Sequence, residues 1–466
     1  MTIKKYSLSA VLVSLALTGC GGSSNNDNAE CHDESCFNVS DEGRLVVSDA
    51  DNANASVVSL ADGSVLETFA LTNNASAVYA SPEYRYGLIM QRQDDGLVEV
   101  IDGGKYQEDH GDHLHPYEND PSKLDVTITG ANPTHYETHD GRGAIFFDGS
   151  DSVVSKVVEF NDALLAVGTP NSFELASAHH GTAEPLGEHI LVSNKGSAPA
   201  DSALPNQVEL FHFHAGDGFE SDELFAELCP DLHGSFSTEE GTVFGCSDGV
   251  LVVAEGDDHE FTTRKIANAD DMIEGNRVGS FSGYGESHFI AGWASNRGQN
   301  TQLYAIDLES DSMELIDWNG DSDAVYSTAH MAATGEFLLV LDTTGTLHIL
   351  SGASENEHEE EGTEGAEESE EEHEEHAFEP ATTVKVIETM PTLSGHARIS
   401  ITSSPASDFA YVVDSEAQEI VVVHLEDGEV EERINLSFTP AHVAWVGIAD
   451  EHDHDEEHDD EDDHNH

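Results

Sequence analysis

The chain has 466 residues, of which 93 are acidic, 17 are lysine or arginine and 27 are histidine, so that its formal net charge is −76. A chain this acidic repels nucleic acid and anionic membrane surfaces, and it concentrates cations around itself. We therefore exclude nucleic acid as a partner. Because divalent metals bind carboxylates and imidazoles in proteins, the composition favours a metal-binding function.

The first residues have the pattern of a secretion signal. Two lysines precede an apolar run at 8–17, which is shorter than the about 20 residues needed to cross a bilayer. The run is followed by Leu-Thr-Gly-Cys20 (a bacterial lipobox pattern), so we predict a signal peptide at 1–19, a lipidated Cys20 and a flexible tether at 20–42. Gly21 favours the outer membrane, in a periplasmic or cell-surface location. The alternative is an ordinary signal peptide with an unmodified cysteine.

Four further cysteines fall into two pairs along the chain. Cys31 is close to Cys36, and Cys229 is 17 residues from Cys246. An exported protein is in an oxidising compartment, so we predict two disulfides. Cysteine-ligated metal is the alternative, and it would require thiols that escape oxidation.

Between residues 43 and 449 the chain alternates short β-like runs with turns rich in Gly, Asp and Asn. We predict strands at 44–48, 86–91, 144–147, 189–193, 208–212, 250–254, 302–306, 337–341 and 409–413. About 400 residues of this pattern are too many for one sandwich. The sequence therefore predicts an all-β fold of another kind.

An internal repeat identifies that fold as a β-propeller. One unit of four strands in about 45 residues begins near His396, and the same order recurs from His135, His180, His233 and His330. We predict eight blades, with seven as the alternative. The segment at 439–446 resembles a first strand with nothing after it, and 43–47 resembles a later strand, so we expect the two termini to pair and close the ring.

Two acidic, histidine-rich segments cannot bury enough apolar surface to fold, and we predict that 354–378 and 450–466 are disordered. We expect their histidines to collect metal weakly and quickly. The alternative is that both segments only keep the protein soluble. These auxiliary histidines are His358, His373, His376, His452, His454, His458, His464 and His466.

The segment 109–115 (Asp-His-Gly-Asp-His-Leu-His) concentrates histidines and aspartates in what resembles an insertion before a strand at 124–128. His110, His113 and His115 provide enough donors for a tetrahedral metal site, and the glycine lets the chain wrap around an ion. The alternative is a solvated polar loop.

Histidines also recur in the first strand of the repeat unit. The repeat predicts that their rings converge on the channel or on one rim, and we expect three or four of them to contact metal. Glu137, Asp140 and Asp231 are nearby carboxylates that could ligate metal or orient the rings. Each such histidine could instead be a hydrogen-bonded core residue. The set is His135, His179 or His180, His233, His330, His396 and His442.

These residues resemble the AztD-type zinc metallochaperones, which are periplasmic or cell-surface β-propellers. The resemblance spans roughly residues 40 to 448. It implies a protein that binds zinc at tight sites and hands it to the periplasmic solute-binding protein of a zinc ABC importer. It also implies that His110, His113, His115, His135, His180 and His233 are functional. The matching stretches are 110–115, 133–142, 179–187, 229–234 and 244–251, with a weaker match at 394–396.

No catalytic motif competes with this interpretation, and we predict that the protein is not an enzyme. The sequence has no His-Glu-x-x-His helix or glycine-rich phosphate loop. Calcium is a rival cation, but the acidic loops do not repeat a calcium-binding pattern. Other interpretations are a protein-interaction module with metal-buffering tracts, and a propeller enzyme. Because zinc binds unprotonated histidine, we expect affinity to fall as the pH drops through about 6.5.

Overall fold

The computed structural model describes residues 43–109, 114–256, 260–296, 300–320, 324–352, 378–393 and 398–449. These residues form eight four-stranded antiparallel sheets. The first strands of consecutive sheets contact one another, as β10, β14 and β18 do (bounds below), so the sheets are the blades of a propeller. The predicted fold class and the predicted eight blades are confirmed, and all nine predicted strands are present.

Blades 1 to 4 each contain four strands, which are named in order from first to fourth. Blade 1 is β34 (Pro440–Gly447), β1 (Gly43–Asp49), β2 (Asn54–Ser59) and β3 (Val65–Ala70). Blade 2 is β4 (Ala77–Ala80), β5 (Tyr86–Gln91), β6 (Leu97–Asp102) and β9 (Ser122–Thr129). Blade 3 is β10 (Pro133–His139), β11 (Arg142–Phe147), β12 (Lys156–Phe160) and β13 (Asn171–Glu174). Blade 4 is β14 (Ala183–Leu186), β15 (His189–Asn194), β16 (Gln207–His214) and β17 (Gly218–Leu224).

Blades 5 to 8 follow the same order. Blade 5 is β18 (Ser235–Thr238), β19 (Gly241–Cys246), β20 (Gly249–Glu255) and β21 (Phe261–Ala267). Blade 6 is β22 (Arg277–Gly283), β23 (Phe289–Ser295), β24 (Gln302–Asp307) and β25 (Ser312–Leu315). Blade 7 is β26 (Tyr326–Met331), β27 (Phe337–Asp342), β28 (Thr346–Ser351) and β29 (Pro380–Lys385). Blade 8 is β30 (Ile401–Ser403), β31 (Phe409–Asp414), β32 (Glu419–His424) and β33 (Glu429–Asn435).

The ring closes in blade 1, where the last strand of the chain pairs with the first. β34 runs antiparallel to β1, with Leu45 opposite Trp445 and Val46 opposite Ala444. Gly43 lies against the Trp445 indole so closely that a Cβ at this position would overlap the ring. The predicted pairing of the termini is confirmed, and it removes two sheet edges.

The core lies between blades, where alternate apolar side chains of neighbouring sheets meet. Between blades 1 and 2, for example, Val46 and Val57 pack against Ile89 and Ile101, and all four are fully buried. Burying one such side chain contributes about 1.5–3 kcal/mol. Fourth strands such as β3 are largely exposed.

The antiparallel order gives the ring two distinct ends. We call the end where the first strands begin the entry face and the end where they finish the exit face. Third strands also finish at the exit face, and two insertions leave the ring there. One is the hairpin of β7 (Lys105–Asp109) and β8 (Leu114–Glu118), between β6 and β9. The other follows β28, and the chain returns at Phe378, which is buried in the core between blades 6 and 7.

In the described residues the one helix is α1 (Asp162–Val167), capped by Asn161. No described helix has the length and hydropathy to cross a membrane. The predicted Cys229–Cys246 disulfide is present. Several predicted features lie outside the described residues: the leader 1–19, the tether 20–42 with Cys20, Cys31 and Cys36, residues 354–377 of the acidic insert, and the tail 450–466.

Candidate metal centre

Three histidines from three consecutive blades meet at the entry face. His135 lies in β10, His180 precedes β14 and His233 precedes β18. One ligand atom from each ring lies within 4.8 Å of the other two, and no other such group of metal-ligating side chains occurs in the described part of the chain. We call these residues the histidine triad. They are three of the six first-strand positions that the repeat selected.

The spacing within the triad suits a metal ion. The Nε2 atoms of His135 and His180 are 3.4 Å apart. Two nitrogen ligands on a tetrahedral zinc ion, each about 2.0–2.1 Å from the metal, are about 3.3 Å apart. The His233 ring centroid is 4.8 Å from that of His180 and 5.4 Å from that of His135.

Glycines allow two of these histidines to approach the centre of the ring. His180 precedes Gly181, and His233 precedes Gly234. A Cβ at Gly181 would lie 2.7 Å from the Phe146 ring of blade 3, and a Cβ at Gly234, whose φ is +70°, would lie 2.6 Å from the Gly279 carbonyl oxygen of blade 6. The His-Gly dipeptide therefore marks a close approach between neighbouring blades.

The inner nitrogens of the triad are held by the surrounding protein. Nδ1 of His180 is 3.0 Å from Oδ2 of Asp148, and Nδ1 of His233 donates to the Gly279 carbonyl at 2.6 Å. Nδ1 of His135 lies 3.5 Å from Oε1 of Glu137. Because a carbonyl only accepts hydrogen bonds, the proton of His233 is on Nδ1, which leaves the Nε2 lone pair for a ligand.

Burial keeps two of the rings neutral. Desolvation lowers the pKa of His135 to about 4, and desolvation together with the neighbouring rings lowers the pKa of His233 to about 3. Burial alone would raise the pKa of Asp148, but its hydrogen bonds to His180 and Arg92 lower it overall. An ionised carboxylate thus faces His180 beside neutral imidazoles, which is the protonation state that metal ligation requires.

A polar layer lies next to the triad on the same three strands. The Thr182 hydroxyl is 3.4 Å from Glu137 and 2.7 Å from the Ser235 hydroxyl, and Ser237 donates to Glu184 at 2.8 Å. Burial raises the pKa of Glu137 to about 8. Burial, followed by the charge of Glu137, raises the pKa of Glu184 well above its ordinary value.

The hairpin histidine lies at the other end of the ring. His115 is in β8 with its side chain exposed beside Tyr117, with ring centroids 4.7 Å apart. The hairpin starts at the exit face, where Arg44 donates to the carbonyls of Gly103 and Asn119. The structure does not place His115 with the triad, and His110 and His113 lie outside the described residues.

Other predicted histidines lie apart from the triad. The buried ring of His179 lies between two backbone carbonyls, with Nε2 2.9 Å from that of Ser193 and Nδ1 3.3 Å from that of Ser177, and it donates to one of them as a core residue would. His330 Nε2 lies 3.0 Å from the Ser403 hydroxyl. Burial lowers the pKa of His442 in β34. His396 lies outside the described residues.

The carboxylates are placed differently from what we expected. Glu137 contacts the triad, but Asp140 instead pairs with His139 at 3.4 Å. The backbone carbonyl of Asp231 accepts from Arg277, a contact that does not involve its carboxylate. Asp148, which contacts His180, was not selected from the sequence. It follows the second strand of blade 3, and second strands end at the entry face, so only the strand order could have identified it.

Comparison with known proteins agrees with this architecture. The chain is 27% identical to the zinc chaperone AztD of Citrobacter koseri over 276 residues, which are 59% of this chain and 61% of the relative. The match thus spans about three fifths of the relative's length. No family model matches the chain.

Two solved structures of Citrobacter koseri AztD share the fold. The apo structure has a TM-score of 0.68 and 21% identity, covering 88% of this chain and 99% of its own. The second structure has a TM-score of 0.68 and 22% identity, covering 88% and 100%. In sequence and in fold, the chain resembles the AztD-type zinc chaperones and forms a β-propeller of that type.

Proposed function

We propose that this protein is an exported, non-enzymatic zinc carrier that holds Zn²⁺ on His135, His180 and His233. The observation that carries the proposal is the convergence of three imidazoles: one nitrogen of each lies within 4.8 Å of the other two, and the Nε2 atoms of His135 and His180 are 3.4 Å apart. The similarity to a zinc chaperone supports the choice of metal. Neutral imidazole nitrogens suit zinc far better than they suit calcium or magnesium.

Three protein ligands leave one position of a tetrahedral zinc ion open. The side chains of His135 and His180 are 20% and 22% exposed, so a donor from another protein can reach that position. Transfer would then proceed by stepwise ligand exchange at the entry face. We propose that the receiver is the solute-binding protein of a zinc ABC importer.

The remaining features extend this proposal. We propose that Cys20 carries a lipid anchor in the outer membrane, and that the histidines of 354–378 and 450–466 raise the local zinc concentration. The alternative is an interaction module that only buffers metal in these tracts. A protein with both tracts deleted distinguishes the two, because a carrier keeps its tight site without them.

The test is zinc titration of the mature protein against a chromophoric chelator at mildly alkaline pH. His233→Ala should remove one tight equivalent. His424→Ala is the matched control, because His424 is a partly exposed histidine of blade 8 that pairs with Asp427. Wild-type protein without any zinc bound more tightly than micromolar would end the proposal, as would a His233→Ala protein with unchanged stoichiometry.

A further inference from the structure

A column of polar side chains continues from the triad into the propeller. On β10, β14 and β18, every second residue lies on the same side of the strand and about 7 Å from the last. Below His135 comes Glu137, below His180 come Thr182 and Glu184, and below His233 come Ser235 and Ser237. Hydrogen bonds link Glu137, Thr182 and Ser235 across the three blades, and Glu184 and Ser237 form the next link.

One carboxyl group of this column has a hydrogen-bond partner for only one of its two oxygen atoms. Glu184 is 1% exposed, and its Oε2 accepts from Ser237, but its buried Oε1 has no hydrogen-bond partner. In the described chain no lysine or arginine forms an ion pair with Glu184 or Glu137. A buried carboxylate without a countercharge is strongly unfavourable, so the pair requires either protons or a cation.

We propose that Glu137 and Glu184 form a second divalent-cation site, completed by the hydroxyls of Thr182 and Ser235. Its donors are all oxygens, which distinguishes it from the nitrogen donors of the triad and suits harder ions such as Mn²⁺ or Ca²⁺. An ion can approach through Glu137, whose side chain is 20% exposed. The unpartnered Oε1 of Glu184 would then have the cation as its partner.

The second site is adjacent to the triad. Oε1 of Glu137 lies 3.5 Å from Nδ1 of His135, so a cation on the carboxylates and a zinc ion on the triad would repel each other within one layer of side chains. Binding at one site therefore weakens binding at the other, and the effect is reciprocal.

The experiment uses terbium emission excited through tyrosine in the full mature chain at mildly alkaline pH. Tyr79 and Tyr136 have ring centroids 5.3 Å apart, and their pKa values are raised mainly by burial and in smaller part by the charge of nearby Glu137. The acidic tracts at 354–378 and 450–466 contain neither tyrosine nor tryptophan, so ions bound there emit little. Mn²⁺ is then added to displace terbium.

The expected result is saturable emission that Mn²⁺ displaces and that Glu184→Gln weakens at least 10-fold in affinity. Glu137→Gln should do the same, which guards against a folding defect in one variant. Glu99→Gln is the matched control, because Glu99 is a buried carboxylate already satisfied by Lys123 and Gln91. Emission that is absent in wild type, or unchanged in both site variants, overturns the second site.

Zinc titration of the same preparations separates the two proposals. Loss of the tight zinc equivalent in His233→Ala with retained terbium binding means that both sites exist. Terbium binding without a tight zinc equivalent in wild type overturns the zinc carrier and leaves the carboxylate site standing. Tight zinc binding without terbium binding overturns the carboxylate site and leaves the zinc carrier standing.

Discussion

Nδ1 of His180 lies 3.0 Å from Oδ2 of Asp148, and the same oxygen lies 2.7 Å from the Arg92 guanidinium. This chain of contacts fixes the His180 ring with Nε2 facing His135. It also connects blades 2, 3 and 4, because Arg92 follows β5, Asp148 follows β11 and His180 precedes β14. The candidate metal centre is therefore held by the packing of blades rather than by one local motif.

Asp148→Asn should weaken zinc binding by about 10–100-fold, the usual effect of removing a carboxylate behind a ligating histidine. The amide can still accept a hydrogen bond but no longer makes the ring more basic. The measurement is zinc affinity by chelator competition. Asp248→Asn is the control, because Asp248 is an exposed partner of Lys265. Equal affinities in the two variants would mean that Asp148 does not support the ligand.

Zinc on the triad should resist acid better than zinc on exposed histidines. At pH 5.5 a ring with an ordinary pKa of about 6.5 is roughly 90% protonated. His135 and His233, with pKa values of about 4 and about 3, remain neutral at that pH. Zinc released between pH 6.5 and 5 should therefore be the weakly bound fraction. Release of the tight equivalent at pH 6.5 would show that these rings titrate like exposed histidines.

The lowered pKa of His135 also makes the zinc-free protein less stable in acid. The folded pKa of His135 is depressed, so the unfolded chain takes up a proton below pH 6.5 that the folded chain refuses. The contribution of His135 to the free energy of unfolding is fully present above about pH 6.5. It is lost as the pH falls towards 4, by an amount on the order of 3 kcal/mol. His135→Gln should flatten this part of the unfolding free-energy profile. If the unfolding free energy of His135→Gln fell with pH as steeply as that of wild type, the pKa of His135 would not be depressed in the folded protein.

The repeat explains how much of the fold the sequence could predict. Buried strands rich in β-branched residues, such as β32, recur in each blade, and this repeat can be recognised in a single sequence. His135, His180 and His233 were found because equivalent positions in consecutive blades come together. Asp148 and the Gly279 carbonyl were missed because their approach depends on packing between blades.

Two adjacent histidines illustrate the same limit. His179 and His180 are indistinguishable by repeat position, yet one ring bonds backbone carbonyls in the core and the other faces the triad. Alternation along an extended segment sends neighbouring side chains to opposite sides, but the sequence does not say which side faces the centre. The segment at 109–115 was predicted as a site of its own, but chain position alone did not show that it leaves the ring at the end opposite the triad.

Removing the Cys229–Cys246 disulfide should cost about 3 kcal/mol of stability and also weaken zinc binding. The bridge closes a loop across a sequence separation of 17, for which loop-closure entropy gives about this value. His233 lies in this loop, and its backbone N–H donates to Gly245, the neighbour of Cys246. Urea unfolding and zinc titration of a Cys229→Ala, Cys246→Ala protein measure both effects. Unchanged zinc affinity would mean that the blade holds His233 without the bridge.

The hairpin and the triad should behave as independent zinc sites. Alanine at His110, His113 and His115 should remove one equivalent, and His233→Ala should remove another, because the hairpin leaves the ring at the exit face and the triad lies at the entry face. Effects at sites without shared partners add, so the combined variant should lose both equivalents. If either variant alone abolished both equivalents, binding at the hairpin and at the triad would be coupled, and the two sites would not be independent. If the triple variant kept full stoichiometry, the hairpin would be a solvated loop and the triad would account for the tight zinc by itself.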